Sequence, residues 1–314
     1  MRVVVTGAAG FIGSRLCRQL LADPSNEVLG VDMLTDYYDV NLKRQNLSRI
    51  PTSNFTFLEG DLNRLELEDV LDGVDAVIHL AGQPGVRKSW GDEFGVYVAQ
   101  NIEATQRLLE AARTSSTIRS FVYASSSSVY GDAERYPTKE SDRPQPISPY
   151  GVSKLAAEHL CSLYASEFDV PTVSLRFFTV YGPGQRPDMA FNRFIRAGLE
   201  RSPLTVHGDG TQIREFTHVD DIVRALISAA NAGLPAGTVM NLSGGSSVSV
   251  NDVIATLSDL LGHSLEVSYG APVAGDVFQT GGDTTLAREL LGWEPTIGIR
   301  EGLATEIDWL REHR

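Results

Sequence analysis

Arg2-Val-Val-Val-Thr6-Gly7-Ala-Ala-Gly10-Phe-Ile-Gly13 is the stretch that decides the fold. Its apolar run has no alternation, which marks a strand buried on both faces of a parallel sheet. Three glycines then predict a tight turn into a helix whose apolar positions fall at Leu16, Leu20 and Leu21. Glycine there lets backbone amides approach a pyrophosphate at the helix N-terminus. The GxxGxxG spacing is one residue wider at its first gap than the usual dinucleotide fingerprint. A second strand, Glu27-Val-Leu-Gly-Val-Asp32, ends in an acid about twenty residues past the glycines. A carboxylate at that point accepts from both ribose hydroxyls and repels a 2′-phosphate, so NAD is favoured over NADP.

Working outward, strand-like runs continue to alternate with helical ones. They are Phe55–Glu59, Ala76–Leu80, Phe121–Ala124 and Thr172–Arg176, with long helices expected over Tyr97–Arg113 and Pro149–Phe168. The alternation predicts an α/β fold with a Rossmann-like, doubly wound parallel sheet and right-handed crossovers. Gly7, Asp32, Asp61, Ala81, Gly82 and Ser126 all fall at the carboxyl ends of strands, where such sheets bind ligands. Past Arg176 the texture turns loop-rich, and a smaller α/β substrate domain is expected. Residues 1–176 are read as the dinucleotide-binding domain and residues 177–314 as mainly the substrate domain. A helix over Val219–Asn231 and a strand over Val239–Leu242 are expected to return to the main sheet. Residues 217–242 therefore interlace the two domains.

Composition narrows the class. A net charge of −13 over 314 residues argues against a nucleic-acid binder, which normally carries a basic face. No apolar run approaches the ~20 residues that span a bilayer, and the first strand opens at Arg2, so no leader or membrane anchor is expected. Two distant cysteines, Cys17 and Cys161, make no disulfide framework. Six histidines show no metal-ligand spacing, and no metal site is expected. A cytoplasmic protein is the expectation. His79, ending an apolar strand, reads as a satisfied core histidine.

The chemistry is announced by Ser125-Ser126-Ser127-Ser128 and, further on, Tyr150-Gly-Val-Ser-Lys154. Residues four apart share a helix face, so Tyr150 and Lys154 are neighbours. An ammonium beside a phenol favours the phenolate. Bringing a tyrosine from about 10 toward neutrality takes roughly 4 kcal/mol, which Lys154 and a cationic nicotinamide would supply together. Such a tyrosine takes a proton from an alcohol as hydride leaves the same carbon, while a serine hydroxyl holds the alcohol in line. The same serines also have a plain reading, as groups that end a strand and satisfy its backbone.

With these residues assembled, the chain resembles the extended short-chain dehydrogenase/reductase superfamily over essentially its whole length. Within it the chain looks like an NAD-dependent nucleotide-sugar epimerase, most closely of the UDP-glucuronate 4-epimerase group. The stretches that carry the closer resemblance are Leu80-Ala-Gly-Gln-Pro-Gly-Val-Arg-Lys-Ser-Trp90, Asp36-Tyr-Tyr-Asp-Val-Asn-Leu-Lys43 and Arg176-Phe-Phe-Thr-Val-Tyr-Gly-Pro-Gly-Gln-Arg-Pro-Asp-Met-Ala-Phe191. The resemblance implies an NAD site formed by Gly7, Gly10, Phe11, Ile12, Gly13, Asp32, Lys43, Asp61, Leu62, Ala81, Gln83, Asn101, Tyr150 and Lys154. Anchored on the following Val129-Tyr130-Gly131, Ser126 aligns with the catalytic serine or threonine beside Tyr150 and Lys154.

The resemblance also sorts the reactions. Nucleotide-sugar 4,6-dehydratases carry an Asp-Glu pair where this chain has Ser127-Ser128, and eliminating water needs an acid and a base at that point. Thr179 stands where many UDP-galactose-type epimerases have asparagine. Hydroxyls at Ser127, Ser128 and Thr179 leave room for a sugar carboxylate and donate to it, and Arg186 resembles the arginine near the substrate in uronate epimerases. Arg214 matches the nucleotide-diphosphate contact, although Glu215 follows it where the family usually has Asp. Asp276 aligns with an acid that reaches the uridine ribose, without the arginine that usually precedes it. Arg87 has two readings, a phosphate contact or a solvated loop cation. The implied substrate is a UDP-sugar, a uronate by this reading. A UDP-glucuronate decarboxylase, a UDP-glucose 4-epimerase and a non-catalytic NAD-binding module are the alternatives. Related enzymes dimerise through the two long helices, so a homodimer is expected. Leu108, Leu109, Leu160 and Leu163 fit either that interface or the internal core.

Overall fold

The computed structural model describes residues 1–271, 275 and 277–313. Six strands build most of the central sheet: β1 (Arg2–Thr6), β2 (Glu27–Asp32), β3 (Phe55–Glu59), β4 (Ala76–His79), β5 (Ser120–Ser126) and β6 (Thr172–Phe177). A seventh strand, Thr238–Leu242, pairs with β6, and the order across the sheet is that strand, β6, β5, β4, β1, β2, β3. Every pairing is parallel. The order reverses between β1 and β4, where connections leave in opposite directions and open a crevice at the strand ends.

Strand alternation divides the core. Val3 and Val5 pack with Leu16, Ile78, Leu175, Ile222 and Met240 on one face. Val4 packs with Val77, Leu108, Leu109, Phe121 and Cys161 on the other. Side chains buried this completely contribute about 1.5–3 kcal/mol each. Leu108 and Leu109 are fully buried, so they belong to the internal core, whereas Leu163 is half exposed.

Loop-rich segments after β6 enclose a separate cluster of Tyr181, Phe191, Ile195, Leu257, Leu303 and Ile307. The Val219–Asn231 helix nevertheless lies against the main sheet, in the same cluster as Val3 and Val5. No helix among the described residues is long and apolar enough to cross a membrane.

One element departs from its expected form. The helix expected over Tyr97–Arg113 is α-helical over Phe94–Tyr97 and Ala104–Thr114, with a π-helical turn over Val98–Glu103 between them. Such turns carry no compositional signature, and they collect at functional sites.

Candidate active site

The carboxyl ends of the strands open into one cleft of ≈ 410 Å³. Its floor starts at the glycine turn. Gly7 has φ +72°, and a Cβ on it would lie 2.9 Å from the Ala81 nitrogen, while a Cβ on Gly13 would lie 2.1 Å from the Gly7 carbonyl oxygen. Only glycine allows these approaches. Gly10 caps the Phe11–Leu20 helix without a side-chain bond, so the first-turn amides of Phe11, Ile12 and Gly13 have no intrahelical acceptor. These residues line the cleft, and the turn suits a pyrophosphate.

At the end of β2, Asp32 accepts from the Leu34 amide (2.8 Å) and the Ala9 amide (3.1 Å). Lys43, buried nearby, donates to Thr35 Oγ1 (2.8 Å) and lies 5.0 Å from the Tyr38 ring centroid. Burial holds its ammonium below the ordinary value against the pull of Asp32. Leu62, Ala81 and Gln83 continue the wall.

Two expected cofactor residues, Asp61 and Asn101, are not among the lining residues. Asp61 accepts from the Asn63 amide (3.0 Å) and pairs with Arg64 (3.8 Å). Asn101 Oδ1 accepts from the Gln83 amide (2.7 Å), and its Nδ2 donates to the Gln83 carbonyl (3.1 Å) and Ser153 Oγ (2.9 Å). Both amide hydrogens of Asn101 are therefore taken by the protein. Asn101 thus braces the Gln83 backbone of the wall.

His79 serves the same wall. Thr6 Oγ1 accepts from the Ala81 amide (3.1 Å), so its O–H donates to His79 Nδ1 (2.7 Å). Thr105 donates to the Asn101 carbonyl (2.7 Å), leaving its oxygen to accept from His79 Nε2 (3.0 Å). The ring is thereby fixed as the neutral Nε2–H tautomer, and burial pushes its pKa down to about 3. It is a structural histidine.

Ser126 ends β5 in extended backbone and caps the short turn Ser127–Val129, its Oγ accepting from the Ser128 amide (3.1 Å). Its O–H remains to donate, Tyr150 lines the same cleft, and the Ser126 hydroxyl acts to lower the Tyr150 phenol. The Pro149–Phe168 helix begins where Ser148 Oγ accepts from the Gly151 amide (3.1 Å), with proline in its first turn. A Cβ on Gly151 would lie 2.5 Å from the Ser128 carbonyl oxygen. That glycine lets the helix approach the serine turn, which brings Tyr150 to Ser126.

Lys154 shares the helix face with Tyr150, yet its Nζ donates to the Ala124 carbonyl (2.8 Å) and lies 5.0 Å from the Tyr123 ring centroid. Burial lowers it to about 8. Burial raises the Tyr150 phenol, opposed by the Ser126 hydroxyl and the Arg186 charge. Helix spacing fixed the shared face but not the direction of the amine.

Ser127, Ser128, Thr179 and Arg186 line the same cleft. Arg186 Nε and Nη2 pair with both oxygens of Asp188 (3.0 and 2.9 Å). Arg87 is exposed on a short turn and does not line the cleft, which favours its solvated reading. Arg214 donates to the carbonyls of Ile213 (2.8 Å), Phe278 (2.9 Å) and Val277. Asp276 lies outside the described residues.

Sequence reasoning missed Tyr37, Lys88 and Tyr97. Tyr37 has Lys88 Nζ 4.7 Å and the Arg186 guanidinium 5.9 Å from its ring centroid. Its hydroxyl would be 2.4 Å from a Cβ on Gly85, at φ +100°. Tyr97 OH contacts the carbonyls of Pro84 (2.9 Å) and Gly85 (2.7 Å). The signal was present in the stretches around Asp36–Lys43 and Leu80–Trp90, whose side chains meet here.

Comparisons with known proteins agree with this geometry. Residues 3–243 match the NAD dependent epimerase/dehydratase family. An uncharacterized UDP-glucose epimerase of Bacillus subtilis is 43% identical over 311 residues, covering 99% of this chain and 98% of the relative. A UDP-glucuronate 4-epimerase of Thermodesulfobacterium geofontis is 39% identical over 316 residues, covering 99% and 96%. The crystal structure of UDP-glucuronic acid 4-epimerase from Bacillus cereus, in complex with UDP-glucuronic acid and NAD, superposes with a TM-score of 0.97. Its identity is 42% and both chains are covered fully.

Proposed function

Since the chain belongs to the NAD dependent epimerase/dehydratase family, we propose that it converts UDP-glucuronate to UDP-galacturonate by transient oxidation at sugar carbon 4. The observation that carries this reading is that Ser127, Ser128, Thr179 and Arg186 line the same cleft as Ser126 and Tyr150. The substrate bound in the Bacillus cereus structure supports the same choice.

NAD supplies the hydride acceptor and returns the hydride within one turnover. The amides of Phe11, Ile12 and Gly13 suit its pyrophosphate, and Asp32 with Lys43 suits the adenosine ribose. Leu62, Ala81, Gln83 and Lys154 are assigned to the rest of its course together with Asp61, while Asn101 braces the Gln83 backbone.

Tyr150 takes the proton from the carbon-4 hydroxyl and later gives it back, while Ser126 holds that oxygen in line. Lys154, tied to the Ala124 carbonyl, fixes the helix against the end of β5 and keeps a positive charge near the phenol. Between the two transfers the 4-keto sugar turns about its pyrophosphate link and presents its other face. Small hydroxyls at Ser127, Ser128 and Thr179 leave space for that turn and donate to the sugar carboxylate, with Arg186 as its cationic partner. Arg214 is assigned to the nucleotide diphosphate, and Asp276 to the uridine ribose. Two serines in the dehydratase position provide neither acid nor base, so loss of water is not part of the reaction.

A second copy of the chain is the proposed protein partner. Val152, Leu163 and Phe168 are exposed on the Pro149–Phe168 helix, and Phe94, Val96 and Val98 on the neighbouring helical segment. Val152 and Leu163 lie eleven residues, about three turns, apart on one helix face. A cytoplasmic location belongs to the same reading and fits two buried free cysteines.

NMR of the sugar after incubation of UDP-glucuronate with enzyme and NAD tests the reaction. UDP-galacturonate is expected. A pentose product assigns a decarboxylase, and turnover confined to a parallel UDP-glucose reaction assigns a neutral-sugar epimerase. No turnover of either sugar favours a binding module. Ser126→Ala should lower kcat by about a hundredfold or more.

A further inference from the structure

Far from the serine turn in sequence, one acidic side chain is completely buried with half of its carboxyl group unpartnered. Glu306, on the Ile299–Glu312 helix, accepts from the Gly182 amide through Oε2 (3.0 Å). Its Oε1 has no hydrogen-bond partner among the described residues. The approach is built in. Gly302, one turn earlier, lies so close to Tyr181 that a Cβ on it would be 2.2 Å from the phenol oxygen. Gly302 and Glu306 share a helix face, so this close packing delivers the carboxyl to the next backbone amide.

Gly182 is the root of the segment that reaches the sugar end of the cleft. It has φ +127°, and a Cβ on it would meet His218 Nε2 at 2.8 Å. Its carbonyl accepts from the Gln185 amide (3.0 Å), and Gln185 in turn clasps Asn192 through two bonds of 3.0 and 2.8 Å. Arg186 and Met189 lie between those ties, and both line the cleft.

We propose that Glu306 is a positioning residue for the substrate end of the cleft, fixing through the Gly182 amide the segment that carries Arg186 to the sugar. The inference rests on the reading of Arg186 as a sugar contact. Burial favours the neutral acid and lifts the carboxyl to about 8. Among the described residues no nearby charge offsets that burial; only the Gly182 amide does. Tyr181 donates to the Gly298 carbonyl, and His218 is itself lowered by burial. On the adjoining helix Asp220 is paired with Arg15, and Asp221 with Arg224 and the Thr296 and Ile297 amides. Glu301, on the same helix as Glu306, is another acid. Ionisation of Glu306 therefore puts under Gly182 a charge that the Gly182 amide alone favours and burial opposes more strongly. By linkage, a pocket that disfavours the anion is loosened when the anion forms. The segment holding Arg186 loosens as the pH rises through about 8.

The test compares wild type with Glu306→Gln and Glu306→Ala. The glutamine keeps an acceptor for the Gly182 amide and does not titrate. Wild-type KM for UDP-glucuronate should climb between about pH 7 and about pH 9.5, with kcat changing less. Glu306→Gln should match wild type at neutral pH and stay flat across that range. Glu306→Ala should raise KM about tenfold at neutral pH and speed hydrogen exchange over residues 182–192. The proposal is overturned if Glu306→Gln shows the wild-type rise in KM. It is equally overturned if Glu306→Ala leaves both KM and exchange unchanged. Should Glu306→Ala fail to fold, the glutamine profile decides alone. Absence of wild-type turnover would defeat the functional reading instead, and hydrogen exchange, which needs no substrate, would then decide the anchoring role.

Discussion

Replacing Arg176 by methionine should cost the fold more than any exposed charge change, because its partner would be left buried and alone. Arg176 Nε and Nη2 meet the two oxygens of Glu158 at 3.0 and 2.6 Å, and both side chains are about 95% or more shielded from solvent. Arg176 Nη1 also donates to Tyr130 OH (2.6 Å), and Ser125 Oγ donates to Glu158 Oε2 (2.6 Å). Burial works against the guanidinium, and the Glu158 carboxylate more than offsets it, leaving Arg176 above its ordinary value. Breaking a buried pair by removing one member costs about 3–5 kcal/mol, whereas exchanging both for apolar residues is often nearly neutral. Here the double change Arg176→Met with Glu158→Leu still strands the Ser125 hydroxyl, at about 1–3 kcal/mol. The double variant should therefore be less destabilised than Arg176→Met by roughly 2 kcal/mol. Urea unfolding followed by circular dichroism measures the cycle. Additive single effects, or an Arg176→Met loss under about 1 kcal/mol, would refute the coupling. Since Ser125 adjoins Ser126 and Glu158 lies one turn beyond Lys154, Arg176→Met should also lower kcat.

Thr179→Ala removes a hydroxyl assigned to the sugar carboxylate, and the 4-keto uronate is a β-keto acid that loses carbon dioxide when the breaking bond aligns with the carbonyl. More carbon dioxide per epimerisation is expected, and an unchanged ratio counts against that assignment. Leu163→Arg puts a charge on the half-exposed apolar face and should turn the proposed dimer into monomer by light scattering. A dimer that persists means the interface lies elsewhere. The folded Glu306 carboxyl, raised from 4.5 to about 8, favours folding fully below about pH 4.5. That contribution is lost as the pH climbs to about 8, so Glu306→Gln should flatten the fall in stability across this window. An equal fall in both proteins contradicts the assignment.

The sheet was legible because its strands are buried on both faces. Val3, Val4 and Val5 are wholly inaccessible, and a strand in that setting must be written as an unbroken apolar run. Residues at strand ends were legible for the same reason, since a parallel sheet gathers its carboxyl ends at one edge. Gly7, Asp32, Ala81 and Ser126 needed only that rule. Contacts between loops were not legible. Tyr37, Lys88 and Arg186 come from three loops, and no periodicity relates their positions. Lys154 shows a finer limit. Its spacing from Tyr150 gave the helix face, but a four-carbon side chain chooses its partner by local acceptors, and the Ala124 carbonyl won.

The segment Phe94–Thr114 shows why a buried polar stripe escapes a reading based on apolar patterns. Along it Tyr97, Asn101 and Thr105 are spaced four apart, followed by Leu108 and Leu109, and all five are buried. Only the leucines announce burial by composition. Tyr97 holds the Pro84 and Gly85 carbonyls, Asn101 the Gln83 backbone, and Thr105 the chain through His79 to Thr6 and the Ala81 amide. One stripe thus fixes successive points along residues 81–85, the loop that walls the cleft. The π-helical turn over Val98–Glu103 sits within this stripe. A wider turn adds a residue per hydrogen-bonded ring and changes the angle between the side chains on either side of it. Asn101 lies inside that turn, and its amide uses both of its hydrogens on the loop and on Ser153 of the Tyr150 helix. The turn is therefore the point where the helix is adapted to the loop, and the leucine end remains free to follow ordinary core packing.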